Sequence, residues 1–185
     1  CGEDRVSATS ALGVPVRAAV IEPRRDDPQA AAGRVGARLH IATGGEIRTY
    51  DLGTRDLRSV VAADGAAALA FDPTGGRLIL GYDDGRITTL DAASLGAEGV
   101  DLGPTPTILA TLDHPVQRLL VSSDGAYVVA ASSERLSVIQ RSDGTLDGSL
   151  DLPAIADLAP GGSGSALIAT IAEVPDPAAA ASILA

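Results

Sequence analysis

Two histidines and one cysteine are the only residues of those types in the chain: His40, His114 and Cys1. A lone cysteine excludes an internal disulfide and any metal site built on a cysteine cluster. His40 lies in the apolar run "ARLHIAT" and is expected to be a partly buried strand residue. His114 stands before a proline in "LDHPV", in a loop, where a ring that changes charge near neutral pH could serve a site. Asp143, Asp147 and Asp151 recur every four residues in "DGTLDGSLD". Such oxygen-rich stretches can bind calcium, but the match to a calcium-loop pattern is poor and hairpin turns are the expected role. Asp83 and Asp84 are likewise expected to form a turn. "GGSGSA" from Gly161 lacks the flanks of a Gly-x-Ser-x-Gly nucleophile elbow and reads as a loop. No Cys-x-x-Cys-His is present to attach a haem. The residues thus assign no catalytic group, no cofactor and no metal ligand.

The elements that would position such residues are strands. Runs of four to seven residues rich in Val, Ile, Leu and Thr alternate with Gly, Asp, Ser and Pro. "GRITTLD" places Ile87 and Thr89 on one face and Thr88 and Leu90 on the other. Asp84-Gly85 before it suits a tight hairpin, because glycine accepts positive φ. Only "DPAAAASILA" at the end has helical character, and its place in the pattern favours a strand.

The pattern repeats. "GGEIRTYDLGTRDL" aligns with "DGRITTLDAASLG", so that Ile47 matches Ile87 and Asp51 matches Asp91, each offset by 40 residues. A third copy, "ERLSVIQRSDG", places Leu136 and Gln140 a further 49 along. Before each copy comes a second apolar run ("ARLHIAT", "GRLILGY", "AYVVAAS"), and "SALIATI" is a fourth of that kind. A third run precedes those, as in "RAAVIEP" and "AALAFDP", with Pro23 and Pro73 at equivalent points. "LRSVVA" and "TPTILAT" supply a fourth strand per unit. Four-stranded antiparallel units recurring every 40 to 50 residues are the mark of a β-propeller.

Gly45, Ile47 and Tyr50-Asp51, and then Gly85, Ile87 and Leu90-Asp91, resemble the WD-repeat and YVTN-type propeller families. The Trp and Gly-His of WD repeats are absent, which favours YVTN or quinoprotein-like propellers. The fold class expected is all-β, with about three and a half blades between residues 14 and 185, part of a seven- or eight-bladed ring. Leu78, Leu80, Ile87 and Leu90, with Leu119, Val128 and Val138 in the next unit, should lie where sheets meet. Asp91 should accept backbone N–H groups at the end of its strand.

Residues 1–13 are polar, rich in small side chains and without strand pattern, so an extended tether is expected. "CGEDR" resembles the mature start of a bacterial lipoprotein. The resemblance implies a thioether-linked diacylglycerol on Cys1, a signal peptide already removed, and a lipid anchor in a cell membrane. The folded part would then face the periplasm or the cell exterior. The longest apolar stretches fall far short of the roughly 20 residues a spanning helix needs. A net charge of −10, with all 14 basic residues Arg, argues against nucleic-acid binding.

Propellers host many functions, so the fold does not choose one. The expectation is a non-enzymatic protein-interaction scaffold or accessory subunit of a cell-envelope complex. The alternatives are a propeller enzyme (a lactonase or quinoprotein-like oxidoreductase) and a binder of cell-wall glycan. The glycan reading needs exposed aromatics, and only Tyr50, Phe71, Tyr82 and Tyr127 are present.

Overall fold

The computed structural model describes residues 15–22, 25–26, 34–72, 74, 76–95, 105–152, 155–160 and 167–171. Cys1 and the tether, Pro23, Pro73, the "GGSGSA" segment and the final Ala-rich stretch lie outside the described residues.

Three four-stranded antiparallel sheets follow one another. The first joins β1 (Ala18–Glu22), β4 (Arg38–Ala42), β5 (Glu46–Asp51) and β6 (Leu57–Ala62). The second joins β7 (Ala66–Asp72), β8 (Arg77–Tyr82), β9 (Arg86–Asp91) and β10 (Thr107–Thr111). The third joins β11 (Arg118–Val121), β12 (Tyr127–Ala131), β13 (Arg135–Gln140) and β14 (Leu146–Asp151). A fourth sheet begins with the paired β15 (Ile155–Pro160) and β16 (Leu167–Ile171). Each strand pairs with the next in order, and the first strands β1, β7, β11 and β15 pack side by side. This is the blade order of a β-propeller. One element was not expected: a two-residue pair, β2 (Arg25–Asp26) with β3 (Arg34–Val35), inserted between the first two strands of blade one.

Val, Ile, Leu and Ala fill the spaces between blades. Ala42, Ile47 and Val61 of blade one meet Leu69, Leu78, Leu80 and Leu90 of blade two. The opposite face of blade two, with Ala70, Ile79 and Ile87, meets Val121, Val128 and Ile139 of blade three. Val129, Ala131 and Leu136 turn the other way and meet Ile155. Leu78, Leu80 and Ile87 have no exposed surface and Leu90 almost none, as the repeat alignment requires. Leu119 and Val138 are half-buried but face these same cores.

Asp91 accepts a hydrogen bond from Ala93 N–H at 2.9 Å, closing its strand into a single 3-10 turn. Gly85 has φ of +88°, and a Cβ there would stand 2.3 Å from Leu112 O. The Asp84-Gly85 turn is therefore also the seat on which the loop from blade two to blade three rests. Leu112 N donates to Gly85 O and Val116 N to Tyr82 O, which fixes that loop.

Candidate functional site

Two polar assemblies carry chemistry, and each contains one histidine. The first is built across blade one. Strand pairing sets Val20, His40, Thr49 and Ser59 side by side, and Glu22 lies on the same face two residues after Val20. The Glu22 carboxylate accepts from His40 Nε2–H at 3.2 Å, so Nδ1 is free to accept from the Thr49 hydroxyl at 3.0 Å. Arg38 Nη1 lies 3.9 Å from Glu22 Oε2 and donates to the carbonyls of Ala92 and Leu95 in blade two.

Hydroxyl, imidazole and carboxylate thus stand in the order of a nucleophile, base and orienting acid. All three residues are fully buried against blade two, so no substrate reaches Thr49. His40 was expected to be partly buried; its burial is complete because the face it lies on is covered by another blade. The same place is taken by Ile79 in blade two and Val129 in blade three, as the strand registers show. Blade one thus has a histidine where its neighbours have aliphatic side chains, while Thr89 and Asp72 of blade two repeat Thr49 and Glu22.

The second assembly lies at the junction of blades two and three, where the His114 loop meets the first residues of β13. His114 Nδ1 donates to Pro115 O at 3.1 Å; a carbonyl can only accept, so this bond sets the tautomer. His114 Nε2 then accepts from Ser137 Oγ–H at 2.9 Å. On β13, Arg135 Nη1 lies 2.9 Å from Asp113 and its Nε 2.6 Å from Asp151. The Asp151 carboxyl is held below the usual carboxylate range, by the Arg135 hydrogen bond first and then by the Arg135 charge, with a smaller contribution from His114.

Two clefts open beside these groups. One of about 450 Å³ is lined by His114, Gln117, Ser132, Glu134, Arg135 and Asp151. The other, about 290 Å³, is lined by Leu112, Asp113, Arg135, Ser137, Gly144 and Leu146. Arg135 borders both.

The other expected positions fall apart in space or role. Asp143 is a turn former, accepting from Thr145 N–H at 2.9 Å. Asp147 and Asp151, expected in turns, are instead strand residues of β14. Among the described residues no three His, Cys, Asp or Glu side chains gather as a metal site would require. Asp84 accepts from Arg86 N–H at 3.1 Å and pairs with its guanidinium at 2.6 Å, as a turn residue does. Asp83 pairs with Arg17 of blade one. Tyr82 is buried and has Arg86 at 4.5 Å over its ring, while Tyr50, Phe71 and Tyr127 are half-buried. Ser137 escaped the sequence reading: it is 23 residues from His114 and has no local motif.

No protein-family model matches the chain, and no curated protein matches it in sequence. In three dimensions it is similar to hydrazine synthase of Kuenenia stuttgartiensis, with a TM-score of 0.61 at 16% identity over 75% of this chain and 40% of that one. It is also similar to U3-55K, with a TM-score of 0.60 at 13% identity over 82% of this chain and 44% of that one. Both are propeller proteins, and this chain is of the same fold class. It spans less than half the length of either.

Proposed function

We propose that the chain is a protein-interaction propeller displayed outside a cell membrane by a lipid on Cys1, as a scaffold or accessory subunit of an envelope complex. The observation that carries the interaction reading is where apolar surface is exposed. Leu57 and Val60, Ile108, and Leu146 and Leu150 are exposed large hydrophobics on β6, β10 and β14, the outermost strands of successive blades. Apolar side chains repeated along one rim suit contact with another protein. The glycan reading would use aromatic rings to stack on sugar faces; Tyr82 is buried, and Tyr50, Phe71 and Tyr127 are half-buried. The YVTN-type relationship and the lipid anchor rest on the sequence motifs alone.

The test has two arms. A photoreactive amino acid at Leu57, Ile108 or Leu146 should give the same discrete adduct in the native host, and Asp at the neighbouring rim positions should remove it. No adduct at any of the three would sink the interaction reading. Intact-mass analysis of the N-terminal peptide from the native host should show acyl mass on Cys1, and Cys1→Ser should release the protein from membranes. An unmodified Cys1 removes the anchor but not the rim.

A further inference from the structure

We propose that Ser137 is a nucleophile activated by His114, and that the cleft beside it accepts a small ester. This goes beyond the interaction reading and rests on the junction of blades two and three alone. A serine hydroxyl is a weak nucleophile until a base lies within hydrogen-bond reach and a third group orients that base. All three parts are present. Ser137 Oγ lies 2.9 Å from His114 Nε2, and Pro115 O holds Nδ1–H at 3.1 Å. That carbonyl does what a carboxylate does elsewhere: it fixes the ring with its free nitrogen toward the hydroxyl. The Gly85 turn supports the loop from below, since Leu112 N donates to Gly85 O and a Cβ on Gly85 would stand 3.0 Å from His114 O.

Access distinguishes this pair from the one in blade one: His114 lines the 450 Å³ cleft and Ser137 the 290 Å³ cleft, with Arg135 between them. Ser137 is only 2% exposed, yet it forms part of the wall of the 290 Å³ cleft. That volume is at the small end of the roughly 300–1,000 Å³ of small-molecule sites, and it suits a short acyl chain with its alcohol. Arg135 lies two residues from Ser137 on β13, on the same strand face, and lines the same cleft. Its guanidinium, held by Asp113 and Asp151, is a fixed positive charge available to a developing oxyanion. Those two carboxylates disfavour an anionic acid portion, so the substrate class is a neutral or cationic ester.

The step balances without an added reagent beyond water. Ser137 Oγ bonds to the acyl carbon as its proton passes to His114 Nε2. The carbon–oxygen bond to the alcohol breaks, and the alcohol leaves with that proton. Water, giving its proton to His114, then hydrolyses the acyl-serine, releasing the acid and restoring both residues.

An alkyl fluorophosphonate probe tests this in the 185-residue protein. Peptide mass analysis should place the phosphonyl group on Ser137, and Ser137→Ala should abolish the adduct. His114→Ala should slow labelling by about 10²-fold or more, the usual contribution of a general base. Absence of label on Ser137 in folded protein, or equal labelling of His114→Ala, overturns the proposal. Should that variant fail to fold, the parent's labelling rate decides: it should rise with pH and level off. A rate that is flat between about pH 5 and about pH 9 overturns it, because a serine held in a merely structural bond has no base to titrate.

Discussion

Asp72 and Arg141 pair across the junction of blades two and three, Oδ2 to Nη1 at 2.7 Å, with the carboxylate fully buried and the guanidinium 30% exposed. Asp72 Oδ1 also accepts from the amide and hydroxyl of Thr74, at 2.9 and 2.7 Å. Arg141 donates in addition to Gly125 O. The pair joins the end of the first strand in one blade to the last turn of the next. Removing Arg141 takes a cation away from a buried carboxylate. A fully buried pair broken in this way costs about 3–5 kcal/mol. Because Arg141 is partly solvated, Arg141→Ala should cost about 2–3 kcal/mol. Adding Asp72→Asn to Arg141→Ala should cost less than the sum of the single changes. Urea midpoints of the three variants measure this, and strict additivity would contradict it.

Gly85 is the second point at which one blade constrains the next. Its φ of +88° already disfavours any side chain, and Leu112 O occupies the place of a Cβ. Gly85→Ala should destabilise by at least about 1–2 kcal/mol, the cost of left-handed backbone in an L-residue before any clash. Because the same loop carries His114, its ring resonances in NMR spectra should shift in the variant. A silent substitution would mean that the loop does not rest on this turn.

Acid should weaken the fold. Asp51 is held below the ordinary carboxylate range mainly by Thr54 N–H, Asp84 by Arg86 and Asp143 by Thr145 N–H, and Asp151 by Arg135. Each binds a proton less readily folded than unfolded, so the unfolded chain takes up more protons as pH falls. The stability these groups contribute is present above the unfolded value of about 3.9 and is lost as pH falls through the lower folded values. The denaturant midpoint should therefore drop below about pH 4, and less steeply in Asp51→Asn. A midpoint that climbs in that range would reverse the sign.

The blades were legible because each strand has its own period-two pattern and each turn its own Gly or Asp. Ile47 and Ile87 could be matched without knowing where either points. What each face meets was not legible, since that depends on a sheet some 40 to 50 residues away. His40 illustrates this: its strand was evident, but its complete burial comes from blade two. The turn formers of "DGTLDGSLD" suggest turns for Asp147 and Asp151; pairing of β14 with β13 makes them strand residues. The Ser137–His114 contact joins a strand to an interblade loop and leaves no spacing to recognise.

The buried histidine of blade one invites replacement by the aliphatic residue of its neighbours. His40→Ile reproduces Ile79, but it leaves Glu22 beside an apolar wall. That single change should cost about 1–3 kcal/mol, because a buried carboxylate loses one of its hydrogen bonds. Adding Glu22→Leu should recover most of the loss, because a well-packed apolar pair often equals or exceeds a buried polar one. A double variant less stable than His40→Ile alone would show that the pair is needed for more than mutual satisfaction.

Finally, three positions in blade two rank the forces that hold a blade. Leu80 is fully buried in the core shared with blade one, and truncation to Ala should cost about 2–5 kcal/mol through lost burial and the cavity left behind. Asp91 is exposed, and its carboxylate closes β9 by accepting from Ala93 N–H, so Asp91→Ala should cost about 1 kcal/mol. Arg86 is paired with Asp84 at the surface and stacked over Tyr82, contacts that water screens, so Arg86→Ala should cost less than about 1 kcal/mol. Denaturant midpoints should fall in that order, Leu80 worst and Arg86 least. If Arg86→Ala unfolds the protein while Leu80→Ala is silent, the faces of β8 and β9 are inverted and the stacking of blade one on blade two is wrong.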